Sequence, residues 1–485
     1  MGTGQRIIKN TFALTISNFV PRAIQTLLVF YAARLVGDVG LGKYYTISSL
    51  IAILSLVTDF GLNGLITREI AKDKSDTQKY FWNILFFKIF LFLLSFIFLI
   101  LTVKILGYSV DILKGAYIFG LFMIISAISS FICAFWQAFE EMKFIGIFAT
   151  LGSLFNLGIT VWLLMRGAGF MSLIWGLVVS SLVTLFLHLI FFGRRASLKF
   201  ENIDLLFLKK ILKVVVPFAL ISIFSTIYFR QDIIFLSKFK NDAVVGWYGS
   251  AHKIIEVLQM VPYAFLGAAY PVFSRTFHEN FRNFTFLYRQ VFKILIFLSF
   301  PIAIGLAVLN RQIILLLYGT NFLNASTSLV ILAGVLLLLF PNTLFTIVAM
   351  AIDKIKFASL IAFIDIILSI IFNLIFIPSW GLNWSLNGAS LTALICETFN
   401  FIAFAFYLNR KVFKLDIFKV AVIPFVSAAI MGISVWFLRP FGLWICLAAG
   451  AMVYPLMLVI FKGISREEFV FIRGLIFKGK SRFQQ

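Results

Sequence analysis

The sequence predicts an all-α integral membrane protein with about fourteen transmembrane helices. Of its 485 residues, 61% are hydrophobic and only 13% are charged, which is too little charge to coat a soluble domain of this size. The apolar residues form runs of about 20, the length at which an α-helix crosses the hydrocarbon core of a bilayer. Helices are expected because every backbone polar group must find a partner inside a segment that lipid surrounds.

Fourteen apolar runs can be delimited, and no connection between them exceeds about 20 residues, which leaves no room for a soluble domain. We number them as spans 1 to 14 in chain order: 10–36, 42–67, 81–105, 113–138, 144–165, 170–192, 212–237, 245–272, 291–310, 327–351, 357–378, 386–408, 418–438 and 442–461.

The lysine and arginine residues predict the orientation of the chain. Most of the 42 basic residues fall on one side of the membrane, with the densest groups in 193–213 and in the tail from Lys462. Because cytoplasmic connections carry the excess of basic residues, we expect a multi-pass protein of the inner (plasma) membrane with both termini in the cytoplasm. This asymmetry accounts for the formal charge of +22, so nucleic acid is not expected as a partner.

Two basic stretches also contain large apolar residues, namely 203–213 and 467–480. Basic amphipathic helices bind the surface of an anionic leaflet. The stretches therefore predict contact with anionic lipids, and the alternative is that both are ordinary solvated connections.

Two short elements recur along the chain. The pattern D-x-x-x-G-x-Y runs from Asp38 to Tyr44 after span 1 and from Asp242 to Tyr248 after span 7. Asn156 and Asn373, each between Phe and Leu, recur at nearly the same separation. The matches predict that spans 1–6 and 7–12 are copies. Since six is even, both copies cross the membrane in the same direction, which makes the repeat parallel.

The repeat predicts the domain organisation. Residues 1–192 form an N-terminal lobe of spans 1–6, and residues 193–211 form a cytoplasmic linker. Residues 212–410 form a C-terminal lobe of spans 7–12, while residues 411–485 hold spans 13 and 14 and a cytoplasmic tail.

Span 1 carries a polar stripe with an arginine near mid-depth. Its members lie within about 80° of arc on an α-helix: Thr11, Thr15, Asn18, Arg22 and Gln25. A charge at the bilayer centre costs about 3 kcal/mol or more, so it usually faces a protein interior or a wet cavity. We expect Asn18, Arg22 and Gln25 to line a cavity, with a kink at Pro21. The alternative is a structural ion pair between Arg22 and Asp59.

Further charges in spans 2, 7 and 8 are expected to line the same cavity, so that cations lie in both copies. These residues are Asp59, Arg230 and Lys253. Arg230 lies near the outer end of span 7, where the alternatives are snorkelling or a pairing with Asp232.

Three acidic residues in the spans are candidates for ion coupling, by binding a proton or a sodium ion: Glu256, Asp365 and Glu397. We favour Glu256, because Lys253 lies one turn away and the two can neutralise each other. For Asp365 and Glu397 a structural role is the alternative. Lys88 lies close enough to the cytoplasmic side to snorkel.

The helical plan, the D-x-x-x-G-x-Y element and the stretch DFGLNGLITREIAK from Asp59 to Lys72 resemble the Wzx-type oligosaccharide flippases. These belong to the multidrug/oligosaccharidyl-lipid/polysaccharide superfamily, and the resemblance covers essentially the whole chain. It implies a V-shaped pair of six-helix lobes that alternate between inward- and outward-open states. It also implies a cationic cavity for a polyprenyl-pyrophosphate-linked oligosaccharide, served by arginines of the first helix and basic groups of the eighth. Arg22 and Lys253 match these in helix and depth.

Such a flippase would be a monomer that works beside polymerases and glycosyltransferases. The alternative on the same fold is a multidrug/cation antiporter, which needs acidic and aromatic groups to hold organic cations. Span 1 has no Asp or Glu and carries Arg22 instead. A membrane enzyme is a third class, but the longest external connection, residues 310–326, offers no Asp, Glu or His. We therefore expect no catalytic residues, no metal and no cofactor.

Overall fold

The computed structural model describes residues 3–195, 203–412 and 415–463, which form fourteen α-helices and no strand within those ranges. The helices, in chain order, are α1 (Thr3–Asp59), α2 (Leu62–Lys72), α3 (Thr77–Ile105), α4 (Val110–Ala138), α5 (Met142–Met165), α6 (Met171–Arg195), α7 (Leu205–Phe239), α8 (Asp242–Glu279), α9 (Phe281–Leu317), α10 (Ala325–Ala351), α11 (Ile355–Phe376), α12 (Ser385–Lys411), α13 (Ile417–Leu438) and α14 (Leu443–Ile460).

The predicted fold class and helix count are confirmed, with a different division at the start of the chain. Spans 3 to 14 correspond to α3 to α14, whereas spans 1 and 2 together form α1 and α2. Twelve stretches of the described residues are long and apolar enough to cross a membrane. One of them, Phe19–Lys72, contains both spans 1 and 2, and α7 is not among the twelve.

One residue, Gly37, separates span 1 from span 2 inside α1. Its φ of 76° and ψ of 178° interrupt the helix, and glycine adopts a positive φ without the steric cost of a Cβ. Pro21 lies inside α1, and the kink expected there stays a prediction. Span 2 was predicted as one helix, but positive φ values at Phe60 and Gly61 end α1 and start the short helix α2.

Several helices are longer than predicted from hydropathy. Helix α8 has 38 residues and α9 has 37, or about 55 Å each at 1.5 Å per residue, so both extend beyond the hydrocarbon core. As a result, much of the predicted external connection at 310–326 is the end of α9, followed by a 3-10 turn at Thr320–Phe322. The basic stretch at 203–213 is the start of α7, which Asp204 caps through the N–H groups of Leu206 and Phe207. The stretch at 467–480 lies outside the described residues.

The chain packs as two compact units. Unit 1 comprises Met1–Ser250, Leu317–Phe322 and Ala362–Ala389, and unit 2 comprises Ala251–Leu316, Leu323–Ile361 and Ser390–Gln485. The division into repeat-related lobes at residues 192 and 211 stays a prediction, because it concerns sequence symmetry rather than packing.

In unit 1, an aromatic cluster joins α3, α4 and α6. Phe81 lies 5.2 Å from Phe131 and 5.8 Å from Phe192, measured between ring centroids, and Phe135 lies 5.5 Å from Phe192. These rings are buried. Buried aromatic pairs at such distances add about 1 kcal/mol each beyond the area they bury, so the cluster fixes this end of unit 1.

In unit 2, α13 and α14 attach to α9 through polar contacts. The Tyr454 hydroxyl donates to the carbonyl of Phe297 at 2.7 Å, and Gln312 Nε2 donates to the carbonyl of Arg439 at 2.9 Å. The Arg439 guanidinium donates to the carbonyl of Val308. Hydrogen bonds between helices are a main source of packing specificity in lipid, so the last two helices are tied to one particular neighbour.

Candidate functional site

The polar stripe of span 1 is described from Arg22 onward. Arg22 is exposed and Gln25 is half-buried. The side chain of Asn18 lies outside the described part of the structure. No hydrogen-bond or ion-pair partner of Arg22 is found among the described residues, so this guanidinium offers its donors outward from α1.

Asp59 pairs with Lys88 rather than with Arg22. Lys88 Nζ lies 3.0 Å from Asp59 Oδ1, and Lys88 is only 2% exposed. The alternative interpretation of Arg22, a structural pair with Asp59, is therefore wrong, and so is the snorkelling expected of Lys88. The reason is that Lys88 points into unit 1, where its Nζ lies 6.0 Å from the centre of the Phe131 ring and Asp59 supplies the opposite charge.

Replacing Asp59 by Asn should destabilise the protein, because it leaves the buried Lys88 ammonium without its counter-charge. Breaking a buried pair from one side costs about 3 kcal/mol, and the partial exposure of Asp59 puts the expected loss at about 2 kcal/mol. The measurement is the thermal unfolding midpoint in detergent. The double variant Asp59→Asn/Lys88→Met removes both charges and should recover most of the loss. Equal midpoints for the single variant and the wild type would contradict a structural pair.

Asp232 forms a buried cluster that the sequence analysis missed. The Tyr248 hydroxyl donates to Asp232 Oδ2 at 2.7 Å, and Asn373 Nδ2 donates to Oδ1 at 2.7 Å. Ser369 lies beside this pair, since Asn373 Nδ2 is 3.4 Å from Ser369 Oγ. Among the described residues, Asn373 Oδ1 and both polar atoms of the Gln231 side chain are buried without a partner. A buried carboxylate surrounded by hydroxyl and amide groups can hold a proton or a small cation.

The signal for this cluster was present in the repeats. Tyr248 is the last residue of the second D-x-x-x-G-x-Y element, and Asn373 is the repeated asparagine of span 11. Both contact Asp232 in space. In the first copy, Asn156 instead accepts from Thr160 at 3.1 Å and packs against Gly176. The carboxylate therefore belongs to the second copy alone.

The two D-x-x-x-G-x-Y elements touch each other, glycine against backbone. A Cβ on Gly42 would overlap the carbonyl oxygen of Asp242, and a Cβ on Gly246 would overlap the carbonyl oxygen of Asp38. Trp247 Nε1 also donates to Asp38 Oδ2 at 2.9 Å. The contact is reciprocal, as expected for two copies related by a local twofold axis, so glycine is required at both positions.

The remaining predicted residues lie in separate places. In unit 2, Lys253 Nζ lies 3.1 Å from Glu256 Oε2, so the predicted pairing one turn apart is confirmed. Glu397, also in unit 2, is buried and accepts from Asn342 Nδ2 at 2.6 Å. In unit 1, Asp365 is buried and Arg230 is half-buried. The roles of these residues in substrate binding or ion coupling stay predictions.

The C-terminal tail contains one motif that the sequence analysis did not weigh. Residues 474–481 read GLIFKGKS, which matches the G-x-x-x-x-G-K-[ST] pattern of phosphate-binding loops. That pattern carries its meaning after a strand and before a helix. These residues lie outside the described part, and the pattern alone assigns no nucleotide site.

Comparison with known proteins agrees with this architecture. The model of a family described as "Polysaccharide biosynthesis protein" matches residues 7–277. The Haloferax volcanii protein named "Probable low-salt glycan biosynthesis flippase Agl15" is 22% identical over an alignment of 434 residues, and the match covers 84% of this chain and 84% of that one.

Two solved structures share the fold. A lipid II flippase MurJ in an inward closed conformation superposes with a TM-score of 0.73 and 17% identity, over 94% of this chain and 98% of that one. A multidrug resistance MATE family transporter of the MOP superfamily, in an inward-facing conformation, superposes with a TM-score of 0.63 and 16% identity, over 82% of this chain and 98% of that one. At these identities the likeness is one of fold.

Proposed function

We propose, since the chain belongs to the polysaccharide biosynthesis protein family, that it is a flippase. It moves a polyprenyl-pyrophosphate-linked oligosaccharide from the cytoplasmic to the outer leaflet. The family match, the named function of the Haloferax volcanii relative and the shared fold with a lipid II flippase support this proposal.

The observation that carries the substrate class is the chemistry of span 1. Arg22 is exposed on α1 without a described partner, and no acid lies in residues 10–36. A guanidinium can bind a phosphate oxygen pair through two parallel N–H···O bonds. An organic cation would instead need a carboxylate or an aromatic cage. This arrangement therefore favours an anionic pyrophosphate head over a cationic drug.

The transport cycle follows from the repeat. In our proposal the two copies alternate between inward- and outward-open states around a cavity with Arg22, Arg230 and Lys253 in its walls. The reciprocal contact at Gly42 and Gly246 closes one end of the pathway and parts in the other state. A substrate that carries negative charge outward gains about 2.3 kcal/mol per charge per 100 mV from an inside-negative potential.

The test of the function is transport by the purified protein in proteoliposomes. A fluorescent polyprenyl-pyrophosphate-linked oligosaccharide should move between leaflets, as measured by its access to an external glycosidase or quencher. The alternative is a multidrug/cation antiporter, because the chain shares its fold with a multidrug transporter. It is tested by measuring uptake of a fluorescent organic cation under a proton or sodium gradient. Cation uptake without oligosaccharide flipping would reverse our assignment.

Glu256 is the residue we expect to couple transport to an ion. Substrate phosphate can compete for Lys253, which now pairs with Glu256 at 3.1 Å, and a proton or sodium ion can then occupy the carboxylate. Glu256→Gln should leave flipping driven by membrane potential intact and remove its dependence on pH or sodium. Asp232→Asn is the companion variant, because Asp232 is a buried carboxylate of unit 1 that accepts hydrogen bonds from a hydroxyl and an amide. Loss of ion dependence in Asp232→Asn alone would move the coupling site from Glu256 to the cluster of Asp232, Tyr248 and Asn373.

A further inference from the structure

The connection between α11 and α12, residues 377–384, exposes three large apolar side chains in unit 1. We call it the α11–α12 turn. Trp380 is 69% exposed, Leu382 is 50% exposed and Trp384 is 47% exposed. The orientation predicted from the basic residues puts this turn on the outer side of the membrane. Exposed apolar residues gathered at one place mark an interaction surface, so the turn calls for a partner.

The backbone of the α11–α12 turn is held in one conformation. The N–H of Leu382 donates to the carbonyl of Ile375 at 2.8 Å, and the N–H of Trp384 donates to that of Phe376 at 2.8 Å. The Trp384 ring also stacks on the Phe376 ring, with 5.2 Å between centroids. A Cβ on Gly381 would overlap the carbonyl oxygen of Ile375, so glycine is required where the turn closes on the end of α11. The exposed side chains are therefore presented by a fixed backbone.

Side-chain contacts join the turn to the end of α7. Lys240 Nζ donates to Asn383 Oδ1, and the Trp380 ring meets the ring of Phe239, the last residue of α7, edge-on at 6.4 Å between centroids. These contacts leave most of Trp380 uncovered, so they position its ring without burying it. The apolar surface of the turn therefore faces away from the protein.

The exposed face of α11 leads directly to the turn. Large exposed apolar residues recur at every fourth position of this helix: Phe363, Ile367, Ile371 and Ile375. At 100° per residue they fall within about 120° of arc. Because α11 is long and apolar enough to cross a membrane, this stripe faces lipid tails. The turn thus lies at the outer end of a lipid-facing surface.

The length of α11 puts the turn at the level of the outer headgroups. Charged residues surround the start of the helix at Ile355 and mark the inner boundary of the hydrocarbon core: Asp353, Lys354 and Lys356. From Lys356 to Phe376 the helix rises about 30 Å at 1.5 Å per residue, which is the thickness of that core. The turn begins at the next residue, where the core ends and the headgroup layer starts.

We propose that the α11–α12 turn is an anchor in the outer leaflet, with Trp380, Leu382 and Trp384 inserted among the lipid headgroups. Tryptophan suits this depth because its ring is apolar while the indole N–H reaches polar groups. Leu382 favours lipid over a sugar, because its aliphatic side chain offers neither a hydrogen bond nor a ring for stacking. The anchor fixes the depth of α7 and α11, which carry Asp232 and Asn373, and it does not depend on the transported substrate.

The experiment measures the depth of single nitroxide labels on the full chain in proteoliposomes. Collisions with oxygen report the bilayer interior, and collisions with a water-soluble nickel chelate report the aqueous phase. The variants are Leu382→Cys in the turn, Ile375→Cys on the lipid-facing stripe, and Asn324→Cys, whose asparagine is exposed in another connection predicted to be external. The native cysteines are first replaced by alanine: Cys133, Cys396 and Cys446.

The label at Leu382 should lie at an intermediate depth. It should meet less nickel chelate than the label at Asn324 and less oxygen than the label at Ile375, because headgroups surround it. Should the cysteine-free chain fold poorly, tryptophan emission of the otherwise native chain reports the same depth. Lipid brominated close to the headgroup should quench the wild type more than it quenches Trp380→Phe/Trp384→Phe, which keeps an aromatic ring at both positions.

Three results would overturn the proposal. Equal nickel accessibility at Leu382 and Asn324 would mean that the turn stands in water. Equal quenching of the wild type and Trp380→Phe/Trp384→Phe by headgroup-brominated lipid would mean that neither tryptophan reaches the headgroups. A change in wild-type emission on adding a soluble oligosaccharide, absent from the double variant, would identify a glycan-binding surface instead of a lipid anchor.

Discussion

Arg22→Ala should reduce the rate of oligosaccharide flipping by about 100-fold, because the loss of a charge-assisted, two-pronged contact to phosphate costs about 3 kcal/mol. The amount of protein in the membrane and its unfolding midpoint should not change, since Arg22 is exposed and has no partner among the described residues. The measurement is flipping in proteoliposomes, together with complementation of a strain that lacks its own flippase.

Two further variants separate charge from geometry. Arg22→Lys should keep part of the activity, because the positive charge survives while the planar fork does not. Arg34→Ala is the matched control: Arg34 is exposed in the same helix and lies about 120° around its axis from Arg22. Full activity of Arg22→Ala, or an equal loss in Arg34→Ala, would remove Arg22 from the mechanism.

Gly42→Leu and Gly246→Leu should each bring transport close to background. A side chain at either position would overlap a carbonyl oxygen of the opposite element, that of Asp242 or of Asp38. Overlap with backbone cannot be relieved by a rotamer change, so the two elements would be held apart and the closed state of this end would be lost. We expect that a cysteine introduced at Trp247 in these backgrounds reacts faster with a polar maleimide than it does next to the native glycines.

Glycines in open space provide the controls for these substitutions. Nothing lies within 4 Å of a Cβ built on Gly158 in α5 or on Gly305 in α9. Gly158→Leu and Gly305→Leu should therefore retain transport and expression near the wild-type level. If Gly42→Leu transports as well as these controls do, the reciprocal contact has no part in the cycle.

Part of this protein follows from local sequence alone. A helix in lipid satisfies its own backbone hydrogen bonds, so each apolar run from span 3 to span 14 determines one helix without knowledge of its neighbours. The predicted positions of the helix ends were less accurate, because hydropathy detects only the part of a helix that lies in the hydrocarbon core. Helices α8 and α9 continue beyond that core. The break between helices at Phe60 and Gly61 lies within an apolar run, so the hydropathy of the sequence does not reveal it. The pairing of Lys253 with Glu256 was predictable because three residues along a helix bring the two side chains onto one face.

The partners of the other charges were decided by the tertiary structure. Asp59 and Lys88 lie on different helices, and Asp232 and Asn373 are 141 residues apart. A sequence can show that a charge in the membrane needs a partner, but several candidates were available for each one. Which of them is within hydrogen-bonding distance depends on how helices rotate and pack against one another, and that is set by side chains along their whole length.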